Sequence, residues 1–77
     1  MASVTNKEIP EEFAFFGELF GYRKKFYYPE KAPEYWQGVI DDGNALLQKY
    51  HEHEQYEFYK SLVFACINAW EKQIRRS

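Results

Sequence analysis

The chain has 77 residues, of which 45% are hydrophobic and 29% are charged, and its formal net charge is −2. This length accommodates one domain at most, and the acidic balance argues against a dedicated nucleic-acid binder and a polybasic membrane anchor. A single cysteine, Cys66, excludes a disulfide within the chain and suits a reducing compartment, so we expect a cytoplasmic protein.

The start of the first helix is predicted by the residues at its N-terminus. Residues 1–9 are polar and lack periodicity, and we expect a flexible leader there. Pro10 suits the first position of a helix, because an N–H at that position would have no intrahelical partner. Glu11 and Glu12 follow in the first turn, where the helix dipole favours negative charge. Together these signals predict helix 1 over about residues 10–27.

Helix 1 carries two apolar rows when its residues are plotted at about 100° each. The first row contains Ile9, Phe13, Phe16, Phe20 and Tyr27, and the second contains Phe15, Leu19, Tyr22 and Phe26. Each helix of a three-helix bundle touches two others, so both rows can be packing rows. The alternative is that the second row is exposed and binds another protein, because exposed aromatic patches mark interaction sites. Gly21 also leaves a shorter helix open, since glycine costs roughly 1 kcal/mol relative to alanine.

A connector at residues 28–32 is predicted by Pro29, which disfavours helical conformation in the residue before it. Pro33 then opens helix 2, which we expect over about residues 33–50. Its apolar stripe contains Trp36, Val39, Ile40, Gly43, Leu46, Leu47 and Tyr50. A turn at residues 42–44 that splits this segment is the alternative.

Helix 3 is predicted over about residues 54–75, after a second connector at residues 51–54. Its apolar stripe is rotated away from that of helix 2, which favours a short turn over one continuous helix. The stripe contains Tyr56, Tyr59, Leu62, Val63, Cys66, Ile67, Trp70, Gln73 and Ile74. No period-two segment is long enough for a strand. We therefore predict an all-α, small three-helix bundle with up-down-up packing over residues 10–77, which dimerisation could complete.

Motifs that would indicate catalysis or metal binding are absent from the sequence. His51 and His53 are two residues apart and point to nearly opposite sides of a helix, whereas a zinc-binding helix needs four-residue spacing. Cys66 falls on the apolar stripe of helix 3 without a basic partner to activate it. There is no glycine-rich phosphate loop, nucleophile elbow or CxxC pair. We expect no enzyme activity, no metal and no cofactor.

Two functions of different classes remain. The first is a non-enzymatic protein-interaction or accessory module that forms a homodimer or binds another protein, with candidate contacts at Phe15, Leu19, Tyr22, Phe26 and Phe64. The second is a nucleic-acid accessory protein, because basic residues interleaved with aromatic ones suit stacking and phosphate contact. Its candidates are Arg23, Lys24, Lys25, Arg75 and Arg76. No membrane partner is expected, since the uncharged run at residues 61–70 is too short to span a bilayer.

One further pattern carries a resemblance to known proteins. It consists of Phe26-Tyr27-Tyr28-Pro29-Glu30, then Glu34-Tyr35-Trp36, Lys49-Tyr50 and Leu62-Val63-Phe64-Ala65. Over roughly residues 13–75 the chain resembles short helical proteins carried by phages and conjugative elements of Gram-positive bacteria. The resemblance implies a cytoplasmic accessory role and supplies no catalytic residues.

Overall fold

The computed structural model describes residues 3–5 and 7–76, and these form three α-helices. Helix α1 spans Pro10–Lys25, α2 spans Pro33–Lys49 and α3 spans Tyr56–Arg76. The described residues contain no strand, and every pair of helices is in contact. The predicted all-α three-helix bundle is confirmed.

The helix boundaries follow the proline signals closely. Pro10 and Pro33 each occupy the start of their helix. Helix α1 ends two residues before its predicted bound, because Phe26 adopts a non-helical backbone with φ −112° and ψ 27°. Helix α1 continues through Gly21, and α2 continues through residues 42–44, so neither predicted interruption occurs.

The predicted leader falls partly outside the described residues, because Met1, Ala2 and Asn6 are not among them. In the remainder, the Glu8 amide donates to the Thr5 carbonyl oxygen at 3.0 Å. The Thr5 amide and hydroxyl both donate to Glu8 Oε1 at 3.3 Å. The segment before α1 therefore makes a local turn.

Helices α1 and α2 are antiparallel, as their ion pairs show. Glu18 pairs with Lys49 near one end, and Lys25 pairs with Asp42 at 2.5 Å near the other. An early residue of α1 therefore pairs with a late residue of α2, and a late residue of α1 pairs with an early one. The charges are seven residues apart in each helix, which is about two turns, so both pairs lie along one seam.

Helices α1 and α3 run parallel. The Phe15 ring stacks on Tyr59 with centroids 4.2 Å apart, and the Tyr22 ring meets Trp70 edge to face at 5.4 Å. Higher numbers on α1 thus meet higher numbers on α3. With α2 antiparallel to α1, the bundle is up-down-up.

The core between the helices is largely aromatic. Its buried hydrophobic side chains are Phe15, Tyr22, Phe26, Val39, Leu46, Leu47, Tyr59, Val63 and Trp70. Ring pairs in such arrangements contribute about 0.5–1.5 kcal/mol beyond the area they bury. This term helps a chain of 77 residues, since a small core supplies little net stability by itself.

A notch at Gly43 brings α1 and α2 together. A Cβ atom at this position would lie 2.9 Å from Tyr22 Oη and 3.3 Å from a methyl carbon of Val63. The Tyr22 hydroxyl fills the notch and donates a hydrogen bond of 2.8 Å to the Val39 carbonyl oxygen. Glycine here permits a buried side-chain contact that a larger residue would obstruct.

Alanine substitutions at two helical glycines should have opposite effects on stability. Gly43→Ala is expected to lower the free energy of unfolding by about 1–3 kcal/mol, because the new methyl group overpacks the notch. Gly21→Ala is the matched control, since a Cβ at Gly21 meets nothing within 4 Å. It should raise the free energy of unfolding by up to about 1 kcal/mol through helix propensity. Urea denaturation followed by circular dichroism measures both, and a stabilising Gly43→Ala would contradict the packing described.

Candidate functional site

The most unusual surface of the molecule is an exposed aromatic row on α1. Phe13, Phe16 and Phe20 are 59%, 43% and 63% exposed, and they lie on one side of the helix. We call these three residues the aromatic face. Gly17 lies beside them, and the space where its Cβ would be is open. Large exposed apolar residues that share one side of a helix are typical of a binding surface.

The structure reverses the roles expected for the two rows of helix 1. Phe15, Tyr22 and Phe26 are buried in the core, and Leu19 is half-buried beside it. These four candidates for protein interaction therefore offer no exposed aromatic patch. The other two helices are wide enough to cover the second row, and the first row takes the exposed position.

Charged residues at the two seams of α1 are consistent with this orientation. Glu18 and Lys25 point to α2 and pair across the seam. Arg23 turns toward α3, where its guanidinium lies 5.9 Å from the Trp70 ring centroid. Long charged side chains cover apolar surface with their stems while their charged ends reach water. Arg23, which lies between the two rows, thus flanks the buried row on its α3 side.

A signal in the sequence could have oriented α1 correctly. Glu18 and Lys25 are seven residues apart, and so are Asp42 and Lys49. In both segments the acidic residue comes before the basic one. When the two helices run antiparallel, each acidic residue therefore lies opposite a basic residue of the other helix. Two complementary ion pairs at equal spacing identify the α2-facing side of α1, and the aromatic face lies away from it.

Phe64, the remaining protein-interaction candidate, is 49% exposed. At about 100° per residue it is turned roughly 120–140° from Tyr59 and Trp70, which contact α1. Phe64 therefore lies on a side of α3 that does not face α1. It is separate from the aromatic face.

The predicted nucleic-acid residues meet at one end of the bundle, because α1 and α3 are parallel and both end there. Several of them are already engaged. The Arg23 guanidinium lies 4.4 Å from the Tyr27 ring centroid, and one of its nitrogens is buried with no hydrogen-bond partner in residues 3–5 and 7–76. Lys25 pairs with Asp42, and Arg75 lies 3.5 Å from Glu71.

Of the five basic candidates, Arg23, Lys24 and Arg76 form no ion pair among the described residues, and Lys24 and Arg76 are the exposed ones of these three. The Lys24 ammonium lies 5.0 Å from the Phe20 ring centroid, at the edge of the aromatic face. A cation above an aromatic ring is attracted to the ring quadrupole. Lys24 therefore adds a positive charge to the rim of the exposed patch.

The opposite end of the bundle is acidic and contains a cleft of about 560 Å³. We call it the acidic cleft; it is lined by Val4, Glu8, Ile9, Pro10, Glu11, Glu12, His53, Glu54, Gln55, Phe58 and Tyr59. The first turn of α1 forms one wall, and the connection before α3 forms the other. The molecule thus carries carboxylates at one end of α1 and cations at the other.

Tyr59 is the central residue of the acidic cleft. Its ring is fully buried, and its hydroxyl has no hydrogen-bond partner among the described residues. Burial raises the pKa of this hydroxyl, and the nearby carboxylates of Glu12, Glu11 and Glu54 raise it further. The group therefore stays protonated at neutral pH. An unsatisfied buried hydroxyl costs about 1–3 kcal/mol, so its position calls for an explanation.

His53 closes one side of the cleft. The Gln55 amide donates to His53 Nδ1 at 3.0 Å, and His53 Nε2 lies 3.2 Å from a Glu11 carboxylate oxygen. The imidazole ring also packs on Tyr59, with centroids 5.1 Å apart. These contacts join the α2–α3 connection to the start of α1 and hold the cleft in shape.

A third polar cluster is structural. The Lys49 ammonium and the Tyr50 hydroxyl both donate to the Glu18 carboxylate, the hydroxyl at 2.5 Å. The bond from Lys49, and then that from Tyr50, lowers the pKa of Glu18. Burial and the Glu18 carboxylate raise the pKa of Tyr50 to about 12. The cluster ties α1 to the end of α2.

The remaining residues that could take part in catalysis or metal binding are not arranged for either role. Cys66 is half-buried, and burial raises the pKa of its thiol, which keeps it protonated and poorly nucleophilic at neutral pH. Among the described residues, no group of three histidine, cysteine, aspartate or glutamate side chains lies close enough together to hold a metal ion. None of the described helices combines the length and apolar character needed to cross a membrane.

Comparison of the chain with protein-family models, with curated proteins and with solved structures gave no match. The resemblance to short helical proteins of mobile elements therefore stays a prediction. Any function must be argued from the surfaces described above.

The two buried tyrosine hydroxyls should respond differently to removal. Tyr22→Phe deletes a buried hydrogen bond to Val39 and should lower the free energy of unfolding by about 1 kcal/mol. Tyr59→Phe deletes a hydroxyl that has no hydrogen-bond partner of normal geometry among the described residues, so the stability of this variant should stay within about 0.5 kcal/mol of the parent or rise. Urea denaturation of both variants under one set of conditions measures the difference. Equal losses would show that the Tyr59 hydroxyl is satisfied in solution.

Proposed function

We propose that this protein is a small non-enzymatic interaction module that self-associates through the aromatic face of α1. The observation that supports the proposal is the exposure of Phe13, Phe16 and Phe20 on one side of a helix whose opposite side forms the core. A second copy of the chain is the partner that we assign to this face. A reducing compartment such as the cytoplasm suits the single free thiol of Cys66.

The exposed area is sufficient for the centre of a dimer interface. At roughly 200 Å² per ring, the exposed fractions correspond to about 330 Å² of aromatic surface on each copy. A standard interface buries about 800 Å² per partner, with an apolar centre and a polar rim. Lys24, whose ammonium lies 5.0 Å from the Phe20 ring centroid, supplies part of that rim.

The charge pattern of α1 favours an antiparallel pair. Glu11 and Glu12 lie in the first turn, and Arg23 and Lys24 lie in the last. When two copies of α1 pair antiparallel, the acidic end of each meets the basic end of the other, and the helix dipoles also oppose. Such a pair uses the same surface on both copies and closes with two-fold symmetry.

The positions of the rings fit this symmetry. Phe13 and Phe20 are equally far from the point midway between Phe16 and Gly17. A two-fold axis at that point places Phe13 of one copy against Phe20 of the other. The two Phe16 rings meet near the centre, where the open space at Gly17 permits close approach of the backbones.

A charge on the aromatic face should separate the copies without unfolding them. Phe20→Glu replaces an exposed ring, so the bundle should retain its circular dichroism spectrum and its melting temperature within a few degrees. The dissociation constant of the dimer should rise at least about tenfold, since the interface contains the substitution twice. Sedimentation equilibrium over a range of protein concentrations measures this constant.

Phe64→Glu is the matched control, because it makes the same change at a half-exposed phenylalanine that lies off this face. Its dissociation constant should equal that of the parent protein. A parent chain that remains monomeric at all concentrations would overturn the proposal. Equal effects of the two variants would show that pairing uses another surface.

A second candidate, a nucleic-acid accessory role, is favoured by one observation. The parallel arrangement of α1 and α3 gathers the basic residues at one end, beside the exposed ring of Tyr28, which is 80% exposed. Stacking of bases on such rings and contacts of cations with phosphates would support binding of a single strand. The pairing of Lys25 and Arg75 with carboxylates weakens this candidate.

Salt-dependent binding distinguishes this candidate from the first. Lys24→Gln combined with Arg76→Gln removes the two exposed candidates that have no ion pair among the described residues. If the protein binds a fluorescent single-stranded oligonucleotide at low salt, the double variant should weaken binding about tenfold and flatten its salt dependence. Fluorescence anisotropy measures both. Anisotropy that does not change at low salt would exclude the candidate, and the dimer would be unaffected by that outcome.

A further inference from the structure

The acidic cleft combines three features that together indicate which kind of ligand it can bind. Carboxylates of Glu8, Glu11, Glu12 and Glu54 lie around it, apolar side chains form part of its wall, and the buried hydroxyl of Tyr59 has no hydrogen-bond partner within the described part of the chain. A volume of about 560 Å³ lies within the range of small-molecule sites, which is roughly 300–1,000 Å³.

The charge of the cleft selects a cationic ligand. Of the four carboxylates, that of Glu11 is paired with His53. The others form no ion pair among the described residues. The described residues do not bring three possible ligands close enough for a metal ion, so the cation that fits is organic.

The Tyr59 hydroxyl determines which hydrogen-bonding groups the cation must carry. A protonated phenol can donate its hydrogen to a carboxylate such as that of Glu12 and still accept a hydrogen bond on its oxygen. An ammonium group carries three N–H donors and no acceptor, so it can bond to this oxygen and to carboxylates at once. The hydroxyl is buried, so the ligand reaches it only if a nearby side chain such as half-buried Glu12 changes rotamer, a motion that is fast near a surface.

The rest of the lining suits an aliphatic chain attached to that ammonium. Val4, Ile9 and Pro10 offer apolar contacts. The ring of Phe58, which is 46% exposed, can lie against the cation and add a cation–π attraction. We infer that the acidic cleft binds a primary ammonium group on an unbranched aliphatic chain, as in a free diamine or a lysine side chain.

Titrations observed by two-dimensional amide NMR test this inference. The probes are 1,5-diaminopentane, Nα-acetyl-lysine amide and the uncharged Nα-acetyl-norleucine amide. We expect saturable shifts at Glu11, Glu12, His53 and Gln55 with a dissociation constant of about 1–10 mM for an ammonium probe. The norleucine compound should cause none. Stronger binding of the diamine would indicate a free amine as the ligand, and stronger binding of the lysine compound would indicate a peptide side chain.

Two variants examine the assigned contacts. Tyr59→Phe keeps the ring and removes the accepting oxygen, and Glu12→Gln removes one carboxylate at the surface. Each should weaken binding of the ammonium probe at least about threefold, whereas Glu34→Gln, the same charge change in the first turn of α2, should leave it unchanged. No saturation up to about 50 mM, equal shifts with the norleucine compound, or parent-like binding by both cleft variants would overturn the inference.

Discussion

The contact between Tyr22 and Gly43 determines how the bundle fits together. The tyrosine crosses from α1 into the notch on α2, donates to the Val39 carbonyl at 2.8 Å, and lies with its ring edge against Trp70 on α3. The Tyr22 side chain therefore joins α1 to both of the other helices. Because Val63 also borders the notch, any side chain at residue 43 would push apart the elements that this contact joins.

The rotation of α1 about its own axis follows from that contact. With Tyr22 facing inward, Phe15 must also face inward, since the two are seven residues apart on one side of the helix. Phe13 and Phe20 are then directed outward, and no further helix of the described chain is present to cover them. The exposed aromatic face is thus a consequence of core packing, and it supplies the apolar surface on which the proposed pairing of two copies depends.

The bundle has basic residues at one end and acidic residues at the other, because the parallel helices α1 and α3 end on the same side. Helices α1 and α3 end with Lys25 and Arg76, whereas the start of α1 and the connection before α3 bring Glu12 and Glu54 to the opposite end. This separation supports antiparallel association of two copies. It also concentrates carboxylates around the buried hydroxyl of Tyr59, which has no hydrogen-bond partner among the described residues.

The sequence by itself determined the helical class, the helix starts at Pro10 and Pro33, and the core stripe of α3, because proline geometry and a 3.6-residue period act locally. Its hydrophobic periodicity did not determine which row of α1 is buried, and the one sequence signal for the orientation of α1 is the equal spacing of Glu18 and Lys25 with Asp42 and Lys49. Both rows are aromatic, and the choice depends on Glu18 and Lys25 meeting partners that are 31 and 17 residues away, and on a notch in another helix. The same holds for the acidic cleft, whose walls are distant in sequence. Only the tertiary structure decided these surfaces, since they depend on contacts between helices.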